Sequence, residues 1–279
     1  MKGSNIGKLQ KIDLEIVKEV VSICKENNLK YYMIGGTLLG AIRHKGFIPW
    51  DDDIDLGMPR DDYEKFLEVA TSKLSSHLDI VNYKTDSSYQ YYITRVRNKS
   101  TKVIETRIGN DTKYTNASID IFPLDGTPNN KYLRKFYYLK IMTLRALMSL
   151  SYKDSIDHAR RRGFLERIFL SIMMRIPTEK LFNPTKIKSL IDKEMRKYPV
   201  AESDIIGCLM GAYRVGEMVP RKIYGKGKCY DFEDIKLHGP EYAHDFLQII
   251  YGNYMVLPPE SARKTHFKIV EINGEKIDS

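Results

Sequence analysis

At 279 residues, 42% hydrophobic and 29% charged with a formal net charge of +9, the chain has the length and composition of a soluble globular protein: one large domain, or a core with an appended lobe. It has no internal repeat or low-complexity tract, Met1-Lys2-Gly3-Ser4-Asn5-Ile6 lacks a signal-peptide apolar region, and no run approaches the roughly 20 apolar residues of a spanning helix. Cys24, Cys208 and Cys229 show no metal-ligand spacing and are odd in number, so reduced thiols in a cytoplasmic protein are expected.

The positive charge is local. Residues 131 to 176 hold eleven Lys or Arg against three acids (Asp154, Asp157, Glu166), a net +8 of the total +9. Nucleic-acid binders and proteins resting on anionic membranes both concentrate charge this way.

In chain order, Leu9, Ile12, Ile16, Val20 and Ile23 recur at three- and four-residue steps and predict an amphipathic helix over 8–26, stopped by Asn27-Asn28. Lys30 to Ile34 reads as a short strand closed by Gly35-Gly36, after which Thr37 offers an N-cap hydroxyl to a helix from Leu38 to His44. Asp53 to Met58 reads as a strand whose alternation puts Asp53 and Asp55 on one face, Ile54 and Leu56 on the other. Pro59 suits the first turn of the next helix, with Asp61 and Asp62 at its positive end. Strand-like segments follow at 79–84, 90–97, 101–106 and 117–122, then a helical pattern over 131–176. Gly207 to Met218 fits no single element, Cys229 to Leu237 looks like a strand, Pro240 opens a helix that Gly252 closes, and the tail from Val256 is extended or loop. This order predicts an α+β protein on a mixed β-sheet flanked by helices. The expected division is a core at 1–130, a basic helical lobe at 131–220, and a C-terminal segment, 221–279, packing back on the core.

Four carboxylates in five positions, Asp51, Asp52, Asp53 and Asp55, repel one another and raise each other's pKa unless something compensates them. Asp53-Ile54-Asp55 aims two acids at one point, where they can share Mg²⁺ or Mn²⁺ with a phosphate as co-ligand. Gly35-Gly36 lets backbone approach a phosphate, and the helix that follows supplies unpaired N–H groups and a positive dipole. Asp120, set between Ile119 and Ile121, is the third acid expected at the site. Asp125, past Pro123, reads as a turn residue or a further site residue. Arg43, His44 and Lys45 are either a solvated helix C-terminus or site residues. Arg95 shares a strand face with Tyr91, Ile93 and Arg97 and is a candidate phosphate contact. Trp50 either boxes a quaternary ammonium or packs as a loop aromatic.

Ile34-Gly35-Gly36, Asp53-Ile54-Asp55 and Asp120 together resemble the LicD family within the nucleotidyltransferase-fold superfamily. The long insert from Thr37 to Asp52 resembles LicD and its fukutin-type animal relatives in particular. The resemblance is strongest over 31–66 and 117–125. It returns at Tyr230-Asp231-Phe232-Glu233, at Tyr251-Gly252-Asn253-Tyr254-Met255 and at Lys264-Thr265-His266.

It implies a nucleotidyltransferase-like core. The implied reaction is metal-dependent transfer of phosphocholine, or a related phospho-alcohol, from a CDP-alcohol to a sugar hydroxyl of a lipid-linked cell-surface glycopolymer precursor. Asp53, Asp55 and Asp120 would be the catalytic, metal-holding acids, Asp120 also helping to deprotonate the acceptor hydroxyl, with Gly35, Gly36, Thr37, Arg43, His44, Asp51, Asp52, Arg95, Glu233 and His266 binding substrate. The basic, aromatic-rich block 131–176 is then either a peripheral contact with the inner membrane face or a lobe packed on the core; nucleic acid is not an expected partner. Two other readings compete: a nucleotidyltransferase moving NMP from an NTP, which the insert disfavours, and a non-catalytic basic module, which the three retained acids disfavour.

Overall fold

The structure is a computed structural model that describes residues 5–105, 113–152, 183–263, 265 and 267–276. Its helices are α1 (Asn5–Glu26), α2 (Gly35–Arg43), α3 (Arg60–Lys73), α4 (Lys131–Leu150), α5 (Pro184–Met195), α6 (Arg221–Tyr224) and α7 (Ala243–Tyr251). Its strands are β1 (Tyr32–Met33), β2 (Asp55–Pro59), β3 (Leu78–Val81), β4 (Thr94–Asn98), β5 (Thr101–Glu105), β6 (Lys113–Thr115), β7 (Ser118–Gly126), β8 (Ile205–Gly207), β9 (Val219–Pro220), β10 (Lys228–Phe232), β11 (Ile235–Gly239), β12 (Phe267–Ile272) and β13 (Glu275–Lys276).

The expected α+β architecture is what forms. The main sheet runs β1-β2-β7-β4-β3, with β8 and β9 continuing from β7. The β2–β7 pair is parallel; its other neighbours are antiparallel. Ile54, Leu56, Met58, Ile119 and Ile121 are buried on the face covered by α1 and α3. Strand alternation therefore turns Asp55 and Asp120 the other way. Tyr137 and Ile141 of α4 and Ile187, Ile191 and Met195 of α5 join the same hydrophobic cluster. Asn130 caps α4 by accepting from the Tyr132 and Leu133 N–H groups, and Asn183 caps α5.

Several boundaries differ from those expected on sequence. β2 begins at Asp55, so Asp53 lies in the preceding loop rather than on the strand. The glycine pair opens α2 instead of preceding it, with Ile34 as N-cap and Thr37 inside the first turn. β4 begins at Thr94, leaving 90–93 as cavity-lining loop. Cys229 to Leu237 is a hairpin, β10–β11, because Glu233 adopts φ 53 at its turn. Of the two forms expected for the tail, the extended one is realised over 267–272: β12 pairs with β5 in a second sheet, β13-β12-β5-β6, where Ile269 packs on Leu9, Val103 and Ala117. Asp125 is not in a turn but in β7, paired with Arg60. Within the 131–176 block only 131–152 is described, and 131–150 is helical as expected.

Candidate active site

The parallel register sets Asp55 beside Asp120, and Arg95 of β4 stands on the other side of Asp120. Arg95 Nε donates to Asp120 Oδ1 at 2.8 Å. Asp51, Asp52 and Asp53 arrive on the loop before β2 and can bring one carboxylate oxygen each to within 4.8 Å of one another. That loop is clamped from three directions. Gln10 of α1 donates to the Asp51 carbonyl at 2.8 Å, the Phe267 N–H donates to Asp52 Oδ2 at 2.7 Å, and the Asp55 N–H donates to Thr37 Oγ1 at 2.8 Å.

The acids stand over the start of α2. Gly35 has φ +55, a backbone that side-chain-bearing residues rarely adopt, and a Cβ there would lie 2.9 Å from Asp55 Oδ2. A Cβ at Gly36 would collide with the Asp51 carboxylate. The glycines thus hold open a cleft in which oxygen anions meet the positive end of a helix.

Burial first, and then the charges of Asp53, Asp120 and Asp51, hold the Asp55 carboxyl well above the usual carboxylate range. Behind the loop, Asp13 of α1 is 0% exposed and neither of its carboxylate oxygens has a hydrogen-bond partner. Burial, followed by Asp53, Asp52 and Asp120, pushes it up as well. Carboxylates crowded against an orphaned buried acid form a hard, all-oxygen donor set that outnumbers the cations among the described residues lining the site. That suits Mg²⁺ or Mn²⁺.

A cavity of about 550 Å³ opens over these acids. One wall carries Asp51, Asp53, Asp55, Asp120 and Arg95. The facing residues come from far along the chain: Arg145 of α4, Tyr213 and Glu217 from the 208–217 segment, and Tyr251 of α7. Arg145 Nη1 donates to the carbonyls of Leu209 and Gly211 at 2.7 and 2.8 Å, tying that segment to α4. Burial pushes the Glu217 carboxyl up to about 7.

Of the residues singled out from sequence, Gly35, Gly36, Asp51, Asp53, Asp55, Arg95 and Asp120 line this cavity. Thr37 is buried with its hydroxyl engaged by the Asp55 N–H, so it positions the strand rather than facing a ligand. Asp52 is buried under the tail. Arg43 donates to the Tyr254 carbonyl at 2.6 Å, and His44 meets Trp50 edge to face. Glu233 accepts from the Phe47 N–H at 3.0 Å and braces the 45–47 turn. None of these lines the cavity. Trp50 carries Arg263 over its ring at 4.9 Å. His266 lies outside the described residues.

Arg145, Tyr213 and Glu217 line the cavity, and Asp13 lies behind its acids, although sequence patterns did not single them out; Tyr251, also in the lining, stood in the sequence only as part of a resemblance motif. Asp13 carries a signal all the same: it falls on the apolar stripe of α1 between Leu9 and Ile16, where an acid has no structural reason to be. Arg145, Tyr213 and Glu217 carry no local signal.

A mixed sheet whose parallel pair bears Asp55 and Asp120, a third acid on the loop before that pair and a glycine-opened helix make up a nucleotidyltransferase-like fold. Residues 28–147 match the LicD/FKTN/FKRP nucleotidyltransferase domain, the family that the motifs of this chain resemble. Over 275 residues, 95% of this chain and 97% of the relative, it is 28% identical to the lipopolysaccharide cholinephosphotransferase LicD of Haemophilus influenzae. A 65-residue stretch, 23% of this chain and 13% of the relative, is 35% identical to the ribitol 5-phosphate transferase FKRP of Homo sapiens. No helix among the described residues is long and apolar enough to cross a membrane.

Proposed function

We propose that the chain is a phospho-alcohol transferase that moves phosphocholine, or a related group, from a CDP-alcohol to a sugar hydroxyl of a cell-surface glycopolymer precursor, releasing CMP. The observation that carries this reading is the group of carboxylates at the positive end of α2, inside a cavity large enough for a nucleotide. Relatives whose names specify cholinephosphate and ribitol phosphate transfer support it.

Asp53, Asp55 and Asp120 would hold Mg²⁺ or Mn²⁺. When bound, the cation neutralises the diphosphate and the charge that builds on the leaving CMP. The α2 N-terminus at Gly35-Gly36 holds a phosphate oxygen, and Arg95 fixes Asp120. The acceptor oxygen attacks the phosphorus bearing the alcohol, and the bond from that phosphorus to CMP breaks. The aromatic lining favours a cationic alcohol. Arg95 lies over Tyr91 at 4.4 Å, and Tyr213 and Tyr251 meet edge to face at 5.4 Å within the cavity. The basic face of α4, where Tyr132, Leu133, Phe136 and Leu139 are exposed among Lys131, Arg134, Lys135 and Lys140, supports the membrane contact expected from sequence. Replacing Leu133 and Phe136 by Glu should then abolish co-sedimentation with phosphatidylglycerol vesicles.

The test of function is incubation with Mg²⁺, a panel of CDP-alcohols and NTPs, and sugar acceptors. CMP from CDP-choline is the expected product. Pyrophosphate from an NTP, with no CMP from any CDP-alcohol, would instead establish the nucleotidyltransferase alternative.

A further inference from the structure

A sugar hydroxyl attacks phosphorus well only if its proton has somewhere to go. Five carboxylates line the cavity among the described residues: Asp51, Asp53, Asp55, Asp120 and Glu217. Neither histidine nor lysine is among the described lining residues. Asp51, Asp53 and Asp55 crowd the α2 N-terminus, and Asp120 is tied to Arg95. Glu217 alone stands apart from that crowd, on the segment that β8 and β9 bracket.

Its placement is built rather than incidental. The Tyr213 N–H donates to Glu217 Oε1 at 2.7 Å, fixing one oxygen. The carboxylate lies against Gly211 so closely that a Cβ there would overlap both of its oxygens. Arg145 pins the same segment through the Leu209 and Gly211 carbonyls. Yet Glu217 faces the acid wall closely enough for its charge to reach Asp55.

Resting on the transferase reading above, we propose that Glu217 is the general base of the reaction, taking the proton of the acceptor hydroxyl as its oxygen attacks phosphorus. The acceptor O–H bond breaks and the proton passes to the Glu217 carboxylate. A new P–O bond forms, and CMP departs with the electron pair of the old one. The groups facing Glu217 are consistent with this task. Burial raises its affinity for a proton, while the Tyr213 N–H and the Arg145 charge oppose that, leaving it at about 7. Tyr213, Tyr224 and Tyr251 are held neutral by burial, and the Cys208 thiol is likewise raised. A base must be ionised to work, so the rate should fall as pH drops below about 7.

The experiment compares the wild type with Glu217→Gln and Glu217→Asp, using CDP-choline with methyl hexopyranosides, ethanol or trifluoroethanol as acceptors. Glu217→Gln should lower turnover ~10²–10³-fold with ordinary hydroxyls, leave KM for CDP-choline and Mn²⁺ binding within about twofold, and erase the acidic limb of the pH profile. Trifluoroethanol, whose proton leaves more readily, should recover much of the deficit. Glu217→Asp, which keeps a carboxylate, should retain the acidic limb at intermediate rate and covers the case in which the Gln variant misfolds. An intact acidic limb in folded Glu217→Gln, or an equal loss with ethanol and trifluoroethanol, overturns the assignment while leaving the transferase reading intact. A wild type that releases no CMP from any CDP-alcohol overturns both.

Discussion

Strand β7 carries two acids five positions apart, and their surroundings are opposites. Asp125 is 1% exposed and receives Arg60 through two hydrogen bonds, Nε at 2.8 Å and Nη2 at 2.6 Å. Arg60 also bonds Glu64 and Asp192, Arg196 pairs with both of these, and Lys84 lies 3.7 Å from Glu64 and 3.8 Å from Asp192. Three cations answer three anions. Around Asp120 the balance fails: five carboxylates line the cavity against Arg95 and Arg145 among the described lining residues, with Asp13 orphaned behind them. The same strand shows how this fold neutralises an acid it keeps for structure. Where it leaves the acids in excess, a cation from solution is the physical remedy, because a buried unpaired carboxylate is costly.

Breaking each side separately sharpens the contrast. Arg60→Met strands Asp125 and should cost about 3–5 kcal/mol of stability, read as a lower urea midpoint, while folded protein retains Mn²⁺ binding. Asp55→Asn should do the reverse, cutting transferase turnover ~10²–10³-fold (~3–4 kcal/mol) with little loss of stability in metal-free buffer.

The pH dependence follows from Asp13 and Asp55. Burial and neighbouring carboxylates raise both in the folded state, so the folded chain binds protons more tightly than the unfolded one. Stability of the metal-free protein should therefore fall as pH rises from about 4, the ordinary Asp value, through the raised folded values. Saturating Mn²⁺ should remove that fall, adding ~2.7 kcal/mol at a hundredfold excess over Kd. Asp13→Asn should make the metal-free slope shallower, and thermal melts in EDTA across that range check it. The smallest effect belongs to the partly exposed Arg97–Asp79 pair: Arg97→Ala should change stability by less than about 1 kcal/mol.

The cavity wall made of adjacent sequence is legible in the residues alone. Gly35-Gly36, the acid–apolar–acid spacing and the isoleucines around Asp120 are local patterns whose physics needs no tertiary information. Their frame on the elements does need it. Asp53 leaves the strand because β1 and β7 pair with β2 only from Asp55 onward, and the glycines join α2 because Gly35 accepts the strained first turn. The opposite wall is illegible for a different reason. Glu217, Tyr213 and Arg145 look like ordinary surface residues until α4 and the 208–217 segment pack back on the core and bring them to acids as far as 166 residues away in the chain. The tail reads only as extended or loop in sequence because its partner, β5, lies more than 160 residues earlier.

The most direct measurement of the central claim is Mn²⁺ binding, followed by electron paramagnetic resonance, to the wild type, Asp55→Asn and Arg60→Met. Binding that is saturable in the wild type, retained in folded Arg60→Met and lost in Asp55→Asn is the predicted result. Equal binding in the wild type and Asp55→Asn would contradict it.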